Sequence, residues 1–152
     1  NHSLYRTFAN YFAVEGLPKL EIYWIGRAKE EYLHHEWIYK YLTDNDAIFQ
    51  YPPVPPINVD IKDRIMPFEA TVDREIETTM SINKIVDQAL KEADWATFQW
   101  LNGESEEEGR LVKEQVEEES ISRTISDMAK EEASWLRKEN AILDFYNGLG
   151  RK

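Results

Sequence analysis

The sequence predicts an all-α fold, a bundle of long amphipathic helices with one long crossover and a short helix near the C-terminal end. Three observations predict it. Apolar residues recur every three or four positions over long stretches, the period of one helix face. Helix breakers are few: the 152 residues contain six glycines and six prolines, and four of those prolines fall between positions 52 and 56. No stretch shows the strict alternation of a half-buried strand.

Residues 1–14 read as the later part of a first helix, with Leu4, Tyr5, Phe8, Tyr11 and Phe12 near helical spacing. Gly16 to Pro18 ends it, and Pro18 suits the first turn of the next helix. That second helix runs to about Leu42, with an apolar stripe of Ile25, Ala28, Tyr32, Tyr39 and Leu42 and with His35 in the gap. Residues 44–66 carry Gln50–Asn58, QYPPVPPIN, a stiff extended segment. It is too long for a tight helix–helix turn and reads as a crossover that returns the chain, in preference to a proline-motif ligand. The third helix spans about Pro67–Lys91, with Phe68, Val72, Ile76, Thr79, Ile82, Val86 and Leu90 in its stripe. Asp94 to Leu101 is helical and is cut at Asn102–Gly103. The polar, acidic residues 102–110 form a loop. Helix resumes near Leu111 and continues to about Lys130, with Leu111, Gln115, Glu118, Ser122, Ile125 and Ala129 on one face. A last short helix occupies Lys138–Tyr146, stopped by Gly148.

Length favours a single domain over residues 1–152. With no cysteine, disulfides, thiolate zinc sites and iron–sulfur clusters are excluded, and a cytoplasmic setting is expected. Nothing approaches the ~18 apolar residues that span a membrane. The start has no signal-peptide pattern and no initiator methionine, so the sequence is expected to begin after a trimmed segment. The formal net charge is −11, from 29 acids and 18 bases. That field repels nucleic acid and draws cations, although solubility alone accounts for many acidic surfaces.

Three patterns carry metal chemistry. Glu31 and His34 stand three apart, so they share a helix face, and carboxylate with imidazole suits a metal such as iron. Alone, such a pair is more often a surface pair. Glu75 lies three residues past Val72 and projects into the apolar stripe, where a carboxylate needs a partner unless it snorkels outward. In the run from Glu114 to Glu119, Gln115 and Glu118 fall on the inward face and Glu114 and Glu117 flank it. An acidic run is commonly a solvated face. Together, three helices each bring a ligand-type residue to an apolar face, as in a di-iron four-helix bundle. A second Glu-x-x-His is absent, because Glu118 is followed three residues later by Ile121.

On these residues the chain resembles the bacterial non-haem ferritins along nearly its whole length. The resemblance rests on Glu30-Glu31-Tyr32 with His34 and His35, on Ser81–Val86, on Trp95-Ala96-Thr97-Phe98 and on Glu114–Glu119. It implies a ferritin-like up-down four-helix bundle with a short fifth helix. Glu31 would bridge two irons, His34 would bind the first, and Glu75 and Glu118 would serve the second. Gln115 would support the centre by hydrogen bonds, and Tyr5 would stand beside it as electron donor or hydrogen-bond anchor. Glu30, Glu114 and Glu117 would hold a third, transfer iron. The implied activity is ferroxidation, Fe(II) to Fe(III) by O2 or peroxide, with the mineral stored in a cage of 24 identical subunits. Trp24, Trp37, Tyr39, Tyr41 and Trp100 are candidates for subunit contacts, with core packing as the alternative.

Three departures stand out. The family's glutamate on the first helix, about two turns before Tyr5, would precede Asn1. Residues 102–110 are longer than usual and should leave Gln115 and Glu118 in register. Trp135 and Leu136 point to different packing of the final helix. The rival functions are a haem-containing bacterioferritin, a non-enzymatic helical binding or structural protein, and a DNA-protecting miniferritin. Met66, Met80 and Met128 do not sit mid-way along the second helix, where the haem type would need one. A miniferritin's metal sites lie between subunits, so these ligands within one bundle fit it poorly.

Overall fold

A computed structural model describes residues 1–105 and 109–150. Among them are six helices and no strand: α1 (His2–Val14), α2 (Pro18–Asp44), α3 (Met66–Lys91), α4 (Trp95–Leu101), α5 (Leu111–Lys130) and α6 (Trp135–Gly148). They divide into two compact units. One comprises Asn1–Pro67 with the chain from Met128 onward, and the other Phe68–Asp127.

In the first unit α1 and α2 form a hairpin whose turn is dictated locally. Gly16 takes φ 75°, its N–H donates to Ala13, and the Leu17 N–H donates to Phe12. This is a Schellman stop, for which a residue without Cβ is best suited. Pro18 then opens α2, where a missing N–H costs nothing. The hairpin core is aromatic. The Trp24 ring centroid lies 5.0 Å from Phe8, 5.6 Å from Tyr5, 6.3 Å from Phe12 and 4.9 Å from Tyr23.

The buried face of α2 is Leu20, Tyr23, Trp24, Arg27, Ala28 and Glu30. This corrects the stripe expected from apolar spacing: Tyr32 and Tyr39 are exposed, and Ile25 and Leu42 are half-buried. The expected stripe followed hydrophobicity, whereas two of the buried positions carry charge. Trp24 is fully buried, so of the two alternatives it takes core packing; Tyr39 is exposed, and Trp37, Tyr41 and Trp100 are half-buried.

Residues 45–65 form no helix or strand and run back along this unit. Phe49 meets Tyr39 and Tyr51 stacks on His35. At the far end Arg64 pairs with Glu15, beside the α1–α2 turn, at 2.7 Å. The expected crossover therefore returns the chain to the level at which α2 began. Asp63 then accepts from the N–H groups of Ile65 and Met66 as α3 starts. Helix α6 begins one turn earlier than expected because Ser134 caps it, accepting from the Arg137 N–H. It lies on α2, where Glu139 accepts from the Lys19 N–H, an unpaired donor of the first turn of α2.

In the second unit α3 buries Phe68, Thr71, Glu75 and Ala89, with Val72, Ile76, Thr79, Ile82 and Val86 half-buried. Leu90, expected in the stripe, is exposed, because the face drifts along a long helix at 3.6 residues per turn. Ala93, at φ 56°, ends α3, and Asp94 caps α4 by accepting from the N–H and hydroxyl of Thr97. Those two hydrogen bonds also hold the Asp94 carboxyl below its ordinary pKa. The expected break follows Leu101, and Gly109 packs under the Trp100 ring at φ 72°. Residues 106–108 of the acidic loop lie outside the described residues. All six positions expected on the inner face of α5 are buried, from Leu111 to Ala129.

Replacing Trp24 by Ala should cost about 3–5 kcal/mol, since it deletes the side chain at the centre of the aromatic cluster. Chemical denaturation measures this. A loss below about 1 kcal/mol would show that the cluster does not hold the hairpin together.

Candidate metal centre

Each unit carries its own set of ligand-type side chains. In the first, Arg27, Glu30, Glu31 and His34 follow the i, i+3, i+4, i+7 spacing of one α2 face. His34 Nδ1 lies 4.0 Å from Glu31 Oε2, and both side chains are largely buried. Two ligand atoms on one ion lie at most about 4.2 Å apart, given metal bonds of roughly 2.1 Å, so the pair suits a shared metal. The Asn1 carboxamide donates to Glu31 Oε1 at 2.9 Å. Tyr5 on α1 is fully buried, with the Arg27 guanidinium 5.7 Å from its ring centre.

Glu30 points to a different set of partners. Arg27 Nη1 donates to its carboxylate at 3.3 Å, and both side chains are at least nine-tenths buried. The Tyr146 hydroxyl on α6 also donates to Glu30. Burial first, then the negative charge of Glu30, pushes the Tyr146 hydroxyl well above its ordinary pKa, so it stays a donor. Its ring reaches that place over Gly26, where a Cβ would stand 2.6 Å from the Tyr146 oxygen.

In the second unit Glu75 and Glu118 are both 0% exposed. Gln115 Nε2 donates to Glu75 Oε2 at 2.8 Å and to the Glu75 carbonyl at 3.1 Å. This joins α3 to α5, and Thr79 adds a second link by donating to Glu119 at 2.9 Å. Arg110, just ahead of α5, reaches Glu114 through Nε at 2.8 Å and lies 3.9 Å from Glu117. Glu114 is buried and Glu117 half-buried.

A ferritin-like domain model matches residues 2–130. The chain belongs to the ferritin-like domain family. A bacterial non-heme ferritin of Staphylococcus aureus is 29% identical over 120 residues, covering 79% of this chain and 68% of its own length. Its counterpart in Staphylococcus haemolyticus is 30% identical over 120 residues, covering 79% and 61%. Among solved structures, an open-pore ferritin from the archaeon Archaeoglobus fulgidus superposes with TM-score 0.82 at 22% identity, covering 93% of this chain and 86% of that one. A Chlorobium tepidum ferritin gives 0.78 at 24% identity, over 99% and 87%. The fold is therefore that of a ferritin, an all-helical bundle with one long crossover and a C-terminal helix. Membership of this family, with its non-heme relatives, supports iron storage as the role of the chain.

Four participants beside these acids were not singled out from the sequence: Arg27, Arg110, Tyr146 and Asn1. A signal existed for the first two. Arg27 precedes Glu30 by three residues and Arg110 precedes Glu114 by four, the spacings at which helix side chains meet. Tyr146 had no local signal, because its contact with α2 depends on the path of the chain after α5.

Gln115→Ala should destabilise the second unit by about 1–2 kcal/mol, since it withdraws a donor from a buried carboxylate. Gln115→Glu should cost more, because it sets a second carboxylate where the donor stood. Urea denaturation midpoints test both, and equal midpoints for the three proteins would show that this hydrogen bond is not structural.

Proposed function

We propose that this chain is the subunit of an iron-storage ferritin that oxidises Fe(II) at a di-iron centre. Residues 1–152 would act as one ferritin-like domain within a homo-oligomeric cage, of 24 subunits as the family resemblance implies. The observation that carries the reading is the complete burial of Glu75 and Glu118 in a helical family member. Burying a carboxylate costs several kcal/mol unless cations or strong donors compensate it, and a cation received beside two such acids would be compensation of that kind.

The roles follow from the family resemblance and from the local geometry. Glu31 bridges two Fe(II) substrates, His34 binds the first, and Glu75 and Glu118 bind the second. Gln115 holds one oxygen of Glu75 and would orient that carboxylate as a ligand. Carboxylates suit both oxidation states because oxygen ligands favour the harder Fe(III) and can switch between one and two bonds. Each Fe(II) gives up one electron to O2, which takes two electrons and two protons and leaves as hydrogen peroxide. Peroxide in turn accepts two electrons and two protons to become water. Tyr5, buried against Trp24 and Arg27, would hold a hydrogen bond or pass an electron, as the family resemblance implies. The excess of 29 acids over 18 bases draws Fe(II) toward the protein. Among the described residues no helix is long and apolar enough to cross a membrane.

Fe(II) added to the protein in air should produce ferric absorbance far faster than in buffer. Glu31→Ala and Glu118→Ala should each slow it at least about tenfold. Absorbance that grows no faster than in buffer, or variants as fast as the parent, would overturn the reading.

A further inference from the structure

Four oxidisable rings of the first unit stand in a line that leads away from Glu31. The Asn1 carboxamide meets Glu31 at 2.9 Å, and the Tyr5 N–H donates to the Asn1 carbonyl, so Tyr5 lies one turn of α1 further in. From Tyr5 the ring centres step 5.6 Å to Trp24, 4.9 Å to Tyr23 and 5.2 Å to Tyr146 on α6. All four side chains are buried. We propose that Tyr5, Trp24, Tyr23 and Tyr146 form an electron relay, with Tyr146 as the donor at its far end. This deepens the function proposed above and rests on it, and on the family resemblance that sets Tyr5 beside the iron centre.

Separations of this size are those of aromatic rings in contact. Tryptophan and tyrosine are the most readily oxidised of the aromatic side chains, and phenylalanine is far harder to oxidise. Phe8 and Phe12, which also touch Trp24, therefore wall the line without branching it. The Arg27 guanidinium, 5.7 Å from the centre of the Tyr5 ring, opposes a positive charge left there. Tyr146 can shed charge along with its electron, because its hydroxyl donates to Glu30 and that carboxylate can take the proton. The Tyr146 ring fits in this place because residue 26 is glycine.

The relay serves peroxide at a centre that holds a single Fe(II), which supplies one electron where two are needed. Fe(II) gives the first and becomes Fe(III). Tyr5 gives the second and is refilled through Trp24 and Tyr23, so the vacancy ends on Tyr146. Tyr146 becomes a neutral tyrosyl radical as its proton passes to Glu30. The O–O bond of peroxide breaks and, with two protons from solvent, two water molecules form. The next Fe(II) returns an electron along the same line, and Glu30 returns the proton. A half-loaded centre thus releases no hydroxyl radical.

Electron paramagnetic resonance of the assembled full chain, frozen after hydrogen peroxide meets fewer Fe(II) ions than subunits, tests the proposal. The parent should give a radical signal that ring-deuterated tyrosine narrows and ring-deuterated tryptophan leaves unchanged. Its splitting reports the Cβ torsion of one tyrosine, so it marks a single residue. Tyr146→Phe, which keeps the ring and its packing, should abolish that pattern. Trp24→Phe should abolish it as well, although Tyr146 is intact, and either variant suffices if the other does not assemble. The same pattern in either variant, or ferric product in the parent with no protein radical, would overturn the relay and leave the iron-storage reading intact. A parent that forms no ferric product would overturn both.

Discussion

A carboxylate moved from water into a helical core needs matching donors or cations, and that requirement organises this molecule. Glu30, Glu75, Glu114, Glu118 and Glu139 are all buried. Each observed answer is specific. Glu139 accepts a backbone N–H at the start of α2, where the helix end has one to spare. Glu75 accepts an amide from α5, which ties two helices of one unit together. Glu30 and Glu114 take guanidinium groups. The partner type differs from acid to acid: a backbone N–H for Glu139, an amide for Glu75, guanidinium groups for Glu30 and Glu114.

Helix α6 shows how structure and site share residues. Its first half caps α2 through Glu139, and its second half sets Tyr146 against Tyr23 and beside Gly26. Tyr146 thereby reaches Glu30, a residue on another helix more than a hundred positions earlier. The last helix thus gives a donor to a buried acid of the first unit as well as packing against it.

How much could be read in advance varied with the composition of each buried face. On α5 the six inward positions follow helical spacing from Leu111 to Ala129, and its polar members, Gln115, Glu118 and Ser122, keep the same phase. The period was therefore legible even without hydrophobicity at every point. On α2 a charged Arg27 and Glu30 occupy the buried face while Tyr32 and Tyr39 look outward, so counting apolar residues turned the helix by part of a turn. The ligand-type acids were visible as acids at inward positions. Their cations were not singled out, because a guanidinium on a long side chain can meet any of several neighbours. Which one it meets is a matter of rotamer and packing. Helix α6 starts a turn ahead of its apolar pattern because Ser134 caps it, a signal carried by one polar residue and not by periodicity.

The corner between α3 and α4 has almost no slack. Ala93 takes a left-handed conformation that costs a residue with Cβ roughly 1 kcal/mol, and Asp94 closes one helix while opening the next. The break after Leu101 is different, since α5 takes its phase from its own first turn, beginning at Arg110. Residues can accumulate ahead of that point without rotating Glu114, Gln115 or Glu118 about the helix axis. That joint transmits no twist, so the angular setting of Glu114, Gln115 and Glu118 on α5 is independent of the chain ahead of Arg110.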